Sequence, residues 1–167
     1  MNRIYNVRTQ VIFILLIVMS CTSSKEQPEG TVALENIELT NLNGEKISLA
    51  DRQGKTIFIN FWATWCRPCI QEMPSIAALQ KQLEGKNIEF FFASDEEVEK
   101  IQKFMESRKM SLNFVRIENP ESLGIEALPT TFIFDRNGNL VFSETGYKKW
   151  DEPATINMVT NLIDENE

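Results

Sequence analysis

The 167-residue sequence contains no histidine. That removes the commonest metal ligand and the commonest general base, so any catalysis must draw on Cys, Glu, Asp, Lys or Tyr. Cysteine is scarce, at three residues. A zinc site built on a Cys-x2-Cys pair needs a second pair of Cys or His ligands, and the chain offers none. No metal and no cofactor are therefore expected. Basic residues are outnumbered, 17 Lys and Arg against 24 Asp and Glu, for a formal net charge of −7. Phosphate binding needs clustered Lys and Arg, which argues against a nucleic-acid partner. Long apolar runs are missing too. The nine residues "VIFILLIVM", Val11 to Met19, are too few to span a bilayer as a stable anchor. There is no internal repeat. A hydrophobic content of 43% and a charged content of 25% suit one soluble globular domain. This length can bury a core without extra staples.

The apolar run follows Arg3 and Arg8 and has the length of a secretory signal core. "VMSCTSS" comes next. Val18, three before Cys21, and Ser20, directly before it, resemble a bacterial lipobox, in which the cysteine is lipidated and becomes the first residue after cleavage. Residues 1–20 are thus expected to be a lipoprotein signal peptide, and residues 21–31 a flexible polar tether with lipidated Cys21. A plain signal peptide with a chance cysteine, or a short membrane anchor, is the competing reading. Loss of residues 1–20 would take the formal charge from −7 to −9, because it removes two arginines and no acids. The expected location is the periplasmic side of the cell envelope, held to a membrane by lipid. That compartment tolerates disulfides.

Residues 32–167 form the expected folded domain. "IELTNLNGEKISL" alternates on either side of Asn43-Gly44, a hairpin signal with strands near 35–40 and 45–49. "KTIFINFWA", 55–63, is nearly all apolar, aromatic or β-branched and predicts a central strand. A helix over 66–83 follows from Ile70, Met73, Ile76, Leu79 and Leu83, with a kink at Pro74. "NIEFFFAS", 87–94, predicts a second buried strand. A helix begins after it, capped by Ser94 or Asp95, with Val98, Ile101, Phe104 and Met105 on one face. "LNFVRI", 112–117, leads back to the sheet. "TTFIFD", 130–135, and "LVFSETG", 140–146, pair across Asn137-Gly138, and a last helix covers 152–164. The order predicts an α/β protein, a mixed central sheet with helices on both faces.

"FWATWCRPCIQEMP", 61–74, carries the chemistry. With Cys21 lipidated, only Cys66 and Cys69 remain. A c-type haem attachment is excluded because Ile70, not His, follows Cys69. A structural staple is a poor reading, since a bridge across three residues constrains little of the unfolded chain. A dithiol/disulfide redox pair fits best. Helix residues three apart share a face, roughly 5–6 Å between Cβ atoms, and a tightened first turn brings them within bonding range. At a helix N-terminus the peptide dipoles and free N–H groups favour a thiolate. Arg67 adds a positive neighbour, and Pro68 stiffens the loop. Cys66, nearest the strand end, is expected to be exposed and to attack first, and Cys69 to resolve the mixed disulfide.

"FWATWCRPC" followed by "LPTTFIFDRNGNLV" resembles the thioredoxin-like thiol–disulfide oxidoreductases, and within them the TlpA/ResA-like group, over residues 32–165. The resemblance implies a thioredoxin-like fold with an added N-terminal β-hairpin and an extra helix and strand. It implies protein-disulfide reductase activity on cysteine-containing extracytoplasmic proteins such as apocytochrome c. It also implies a membrane electron donor and a monomer. Trp65 matches a residue flanking the active-site surface. Pro129 matches a proline that is cis and lies against the disulfide, and Leu128 would offer its backbone to a substrate peptide. Glu72 matches a buried acid that moves protons to or from the cysteines; a solvated glutamate is the alternative. Asn60 stands where general thioredoxins have an aspartate and is read as a hydrogen-bonding residue. Tyr147 and Trp150 in "GYKKW" are expected to pack, with Gly146 permitting a turn. Two other functions stay open: a thiol peroxidase, which would share the fold but uses a different cysteine motif, and a peptide-binding lipoprotein module with incidental cysteines.

Overall fold

A computed structural model describes residues 32–164 apart from Gln53. The expected signal peptide, residues 1–20, and the tether with Cys21, residues 21–31, lie outside the described residues. The elements in chain order are β1 (Leu39–Thr40), β2 (Lys46–Ile47), β3 (Thr56–Phe61), α1 (Arg67–Gln82), β4 (Ile88–Ser94), α2 (Val98–Arg108), β5 (Phe114–Ile117), β6 (Thr130–Phe134), β7 (Leu140–Thr145) and α3 (Pro153–Asp164). The seven strands form one sheet in the order β2-β1-β5-β4-β3-β6-β7. β3, β4 and β5 run parallel, while β6 and β7 close one edge antiparallel and β1 and β2 the other. Among the described residues no helix is long and apolar enough to cross a membrane.

β3 lies inside the sheet, between β4 and β6, and every side chain along it is buried. Ile57, Ile59 and Phe61 point into one cluster, Phe58 and Trp62 into the other, as the two-residue period of a strand requires. All three helices contribute to the Phe58–Trp62 cluster, through residues such as Met73 and Ile76 of α1, Ile101 and Phe104 of α2, and Val159 and Ile163 of α3. The opposite cluster is closed by Leu34, Ile37, Leu49 and Leu123, outside the long helices. Helices on both faces were expected, and this detail is corrected. The connections β3–α1–β4 and β4–α2–β5 step in the same direction across the sheet. Right-handed crossovers moving one way place their helices on one face.

The N-terminal hairpin forms at Asn43-Gly44, with Gly44 at φ 82° and the Asn41 side chain accepting from the Asn43 and Glu45 N–H groups. Its strands are shorter than expected. Leu34–Asn36 forms a 3-10 turn instead of extending β1, because Leu34 and Ile37, three apart, are both buried in the same cluster. The second Asn-Gly turn holds as read: Asp135 Oδ1 accepts from the Asn137 and Asn139 N–H groups. Helix α2 differs at its start. Glu97 occupies the N-cap without a side-chain bond, while Ser94 Oγ accepts from the Glu96 N–H at 3.3 Å. Ser94 ends a strand whose pleat turns its hydroxyl towards the following loop, so neither Ser94 nor Asp95 caps the helix. Helix α1 runs unbroken through Pro74.

Phe58 joins the layers. Its ring lies 4.8 Å from Phe90 and 4.9 Å edge-on from Trp150, which precedes α3. Both Phe58 and Trp150 are fully enclosed. Replacing Phe58 with Ala removes a ring that the surrounding rigid elements cannot close over. The expected loss is about 3–5 kcal/mol of stability, read as a lower urea midpoint with an unchanged slope.

Candidate active site

The loop leaving β3 tightens before α1 begins. The Cys66 N–H bonds the Ala63 carbonyl at 3.0 Å, and Cys66 becomes the N-cap of α1 with an extended backbone. Pro68 falls within the first turn, where a missing N–H costs nothing. The sulfur of Cys66 takes the capping role usually given to Ser or Asp, accepting the Cys69 N–H at 3.3 Å. Cys66 and Cys69 are joined as a disulfide, with S–S 1.99 Å and Cα–Cα 5.3 Å.

One expectation about this pair is corrected. Cys66 was read as exposed, yet it is only 4% accessible, and Cys69 is 0%. In the oxidised state the Cys66 sulfur turns inward to its partner and packs in the Phe58–Trp62 cluster. The order of depth is nonetheless the one expected, Cys66 outside and Cys69 beneath. Trp65, just before the pair, is 73% exposed, which rules out core packing for it. Arg67 and Pro68 are exposed on the same turn.

The Leu128–Pro129 peptide is cis. Antiparallel pairing of β3 with β6 sets Thr130 opposite Phe61, so Pro129 and the Trp62–Cys66 loop leave the sheet at the same end. The Pro129 carbonyl is taken by the Gly146 N–H at 2.8 Å. No hydrogen bond engages the backbone N–H or carbonyl of Leu128 among the described residues.

Glu72, one turn beyond Cys69, is buried at 1% exposure. The solvated alternative is thereby excluded. α1 lies across β3, and Asn60 on β3 donates through Nδ2 to Glu72 Oε1 at 2.7 Å. The same amide donates to Thr131 Oγ1 at 3.0 Å, because Thr131 is the cross-strand partner of Asn60. The Lys148 backbone N–H donates to Glu72 Oε2 at 3.1 Å. Ser75 Oγ donates to the Glu72 carbonyl and accepts the Trp150 N–H at 3.1 Å. Burial pushes the Glu72 carboxyl above its usual range. The Lys148 N–H and the Asn60 amide pull against it, and the Trp150 indole adds a weaker pull without a hydrogen bond of its own. The Glu144 carboxylate adds slightly to the rise.

Several members of this arrangement were not read from the sequence. Lys148 acts through its backbone, which no side-chain pattern discloses. Thr131 owes its place to strand register. Glu96 holds the active-site loop, its carboxylate accepting from the Thr64 N–H at 2.5 Å and the Thr64 Oγ1 at 2.8 Å. The signal available was an acid two residues past a strand end. In "GYKKW", Trp150 packs as expected, but Tyr147 is 53% exposed and does not. Gly146 takes φ 103° and reverses the chain, which leaves Tyr147 outside while Trp150 returns to the core.

A model of the AhpC/TSA family matches residues 31–143. The chain is 33% identical over 125 residues to the thiol-disulfide oxidoreductase ResA of Bacillus thuringiensis, covering 71% of each chain. It is 31% identical over 151 residues to ResA of Bacillus subtilis, covering 84% of each. The chain belongs to the ResA-like thiol–disulfide oxidoreductases. The fold is also that of a thiol:disulfide interchange protein from Bacteroides sp., with a TM-score of 0.67 at 23% identity, over 80% of this chain and 90% of that one. In this oxidoreductase, then, a thioredoxin-like sheet presents a Cys-x2-Cys disulfide at a helix N-terminus, with a buried acid one turn below.

Burial favours the neutral form of Glu72 in the folded protein. Between the ordinary value of 4.5 and the raised folded value, the native chain keeps a proton that the unfolded chain has lost. Stability therefore falls as pH rises through that window. The Glu72→Gln variant has no such term. Its urea midpoint, compared with that of the unaltered protein, is expected to gain as pH rises above the ordinary carboxyl value and to level off once Glu72 ionises in the folded chain. A difference independent of pH would mean a carboxylate ionised throughout.

Proposed function

We propose that this protein is a lipid-anchored thiol–disulfide reductant of the cell envelope. Its substrates are cysteine-containing proteins outside the cytoplasm, apocytochrome c among them, and a membrane protein that transfers thiol electrons re-reduces it. The observation that carries this reading is the disulfide at the N-cap of α1, backed by a buried carboxylate.

In the reduced protein the Cys66 thiolate attacks one sulfur of a substrate disulfide. A bond forms between Cys66 and that sulfur, and the other substrate sulfur leaves as thiolate and takes a proton. Cys69 then loses its proton and attacks the Cys66 sulfur. The Cys66–Cys69 bond forms, the second substrate thiolate departs, and two electrons have passed to the substrate. Helix-end N–H groups, the Cys69 N–H first among them, favour the thiolate at Cys66. Glu72, whose affinity for a proton is raised by burial, takes the Cys69 proton in the second step and returns it during re-reduction. An ionised Glu72 disfavours a thiolate nearby, so the acid opposes the stabilising effect of the helix end on the reduced pair.

Trp65 and Arg67 frame the entry to Cys66, Pro68 holds the turn, and the unpaired Leu128 peptide group beside cis-Pro129 accepts an extended substrate segment by strand-like pairing. Residues 1–20 act as the signal peptide, lipidated Cys21 begins the tether of residues 21–31, and residues 32–167 act as a monomeric thioredoxin-like domain.

Replacing Cys69 with Ser should leave the mixed disulfide unresolved, so that partner proteins accumulate covalently on Cys66 in cell-envelope extracts. A pure peptide-binding module would yield no such adducts, and a thiol peroxidase would instead consume peroxide when purified. For a reductant, the Cys66–Cys69 bond should persist in an equimolar glutathione buffer and yield to dithiothreitol; reduction by glutathione alone would mark an oxidant. Replacing Cys21 with Ala should release the protein from the membrane fraction, whereas retention there would refute the lipid anchor.

A further inference from the structure

β3, β4 and β5 are parallel, so their C-terminal ends open on one side of the sheet, the side where ligands of open α/β sheets bind. A groove of about 320 Å³ lies there. Its apolar floor comes from Phe61, Ile117, Ile125 and Leu128, and Trp65, the residue before Cys66, lines it as well. Asp95, Glu121 and Glu126 line the same groove. They come from two connections, Asp95 from the one after β4, and Glu121 and Glu126 from the one that joins β5 to β6. All three are exposed, and none is paired with a cation among the described residues. No lysine or arginine lines the groove.

We infer that this groove selects substrates carrying Lys or Arg beside the reactive cysteine. The inference rests on the oxidoreductase reading above. The groove abuts both Trp65, the neighbour of Cys66, and Leu128, the neighbour of cis-Pro129. A segment whose cysteine is bonded to Cys66 therefore lays its adjacent side chains in it. An apolar floor under a negative rim matches a side chain with an aliphatic stem and a cationic head, which is the construction of Lys and Arg. An acidic segment meets three unneutralised carboxylates and is repelled. Each exposed pair contributes little by itself, and three acting on one cation produce a kinetic preference on the order of tenfold at low salt.

The test uses the full lipidated chain in detergent, in its reduced form. Three homodimeric disulfide peptides differ only beside the cysteine, which is flanked by Lys, Gln or Glu. The Lys peptide is expected to be reduced about tenfold faster than the Glu peptide, with the Gln peptide between, and salt should narrow the gap. In the triple variant Asp95→Asn, Glu121→Gln, Glu126→Gln the ratio of Lys to Glu rates should fall to about one. Taking the ratio within one preparation cancels any loss of folded protein. A control variant, Glu84→Gln, Glu99→Gln, Glu106→Gln, removes the same charge away from the groove and should keep the ratio. Equal rates for all three peptides would overturn the inference while leaving the oxidoreductase reading intact. A ratio that survives the groove variant, or falls equally in the control, would assign the preference to net charge and overturn it as well. Failure to reduce any of the peptides would overturn both readings.

Discussion

The capping of α1 by the sulfur of Cys66 is the contact on which the site depends. A helix N-terminus leaves backbone N–H groups without partners, and here a redox-active sulfur accepts one of them. Structure and chemistry thus meet in one atom. The geometry that starts the helix also holds the two sulfurs a turn apart and gives Cys66 a polar, hydrogen-bonding environment on an otherwise apolar ledge. The rest of the molecule keeps that ledge in place. β3 delivers the loop from the middle of the sheet, Glu96 ties Thr64 down behind it, and the body of α1 is fastened to the core through Met73, Ile76 and Leu79.

Beneath the ledge lies a costly group. Glu72 is enclosed by the helix, by Asn60 of β3 and by the chain reversal after β7. A buried carboxylate without a cation is disfavoured when charged, and two N–H donors offset only part of that cost. A core built for stability alone would place an apolar residue there. Retaining an acid one turn below Cys69 makes physical sense if a proton must move as the disulfide opens and closes. The surface shows the complementary arrangement, with acids exposed around the groove and unpaired with any cation among the described residues.

Most of the architecture could be read from local pattern. The apolar run at 55–63, the helical spacing of Ile70 through Leu83 and the second Asn-Gly turn led to elements that the structure contains within a residue or two, and the first Asn-Gly turn to a hairpin with shorter strands. Elsewhere a nearest-neighbour reading misled. Leu34 and Ile37 form a 3-10 turn, although "VALENIEL" alternates acceptably as a strand. Ser94 looked like a helix cap but serves Glu96. Tyr147 and Trp150 look equivalent in composition, and a single positive φ at Gly146 puts one outside and the other inside. The helices were expected on both faces because periodicity gives each one an apolar stripe without saying which side of the sheet it meets.

The sequence by itself determined the redox pair, the strand–loop–helix that carries it and the absence of histidine chemistry. These depend on residue identity and on periodicities of 2 and 3.6, which act over a few neighbours. The tertiary structure decided which groups surround the pair. Asn60 and Thr131 meet through the register of β3 against β6. Lys148 reaches Glu72 across 76 positions. Asp95, Glu121 and Glu126 converge because parallel strands end on one side. Contacts of that range are set by strand order, register and crossover handedness, and no local window of the chain records them.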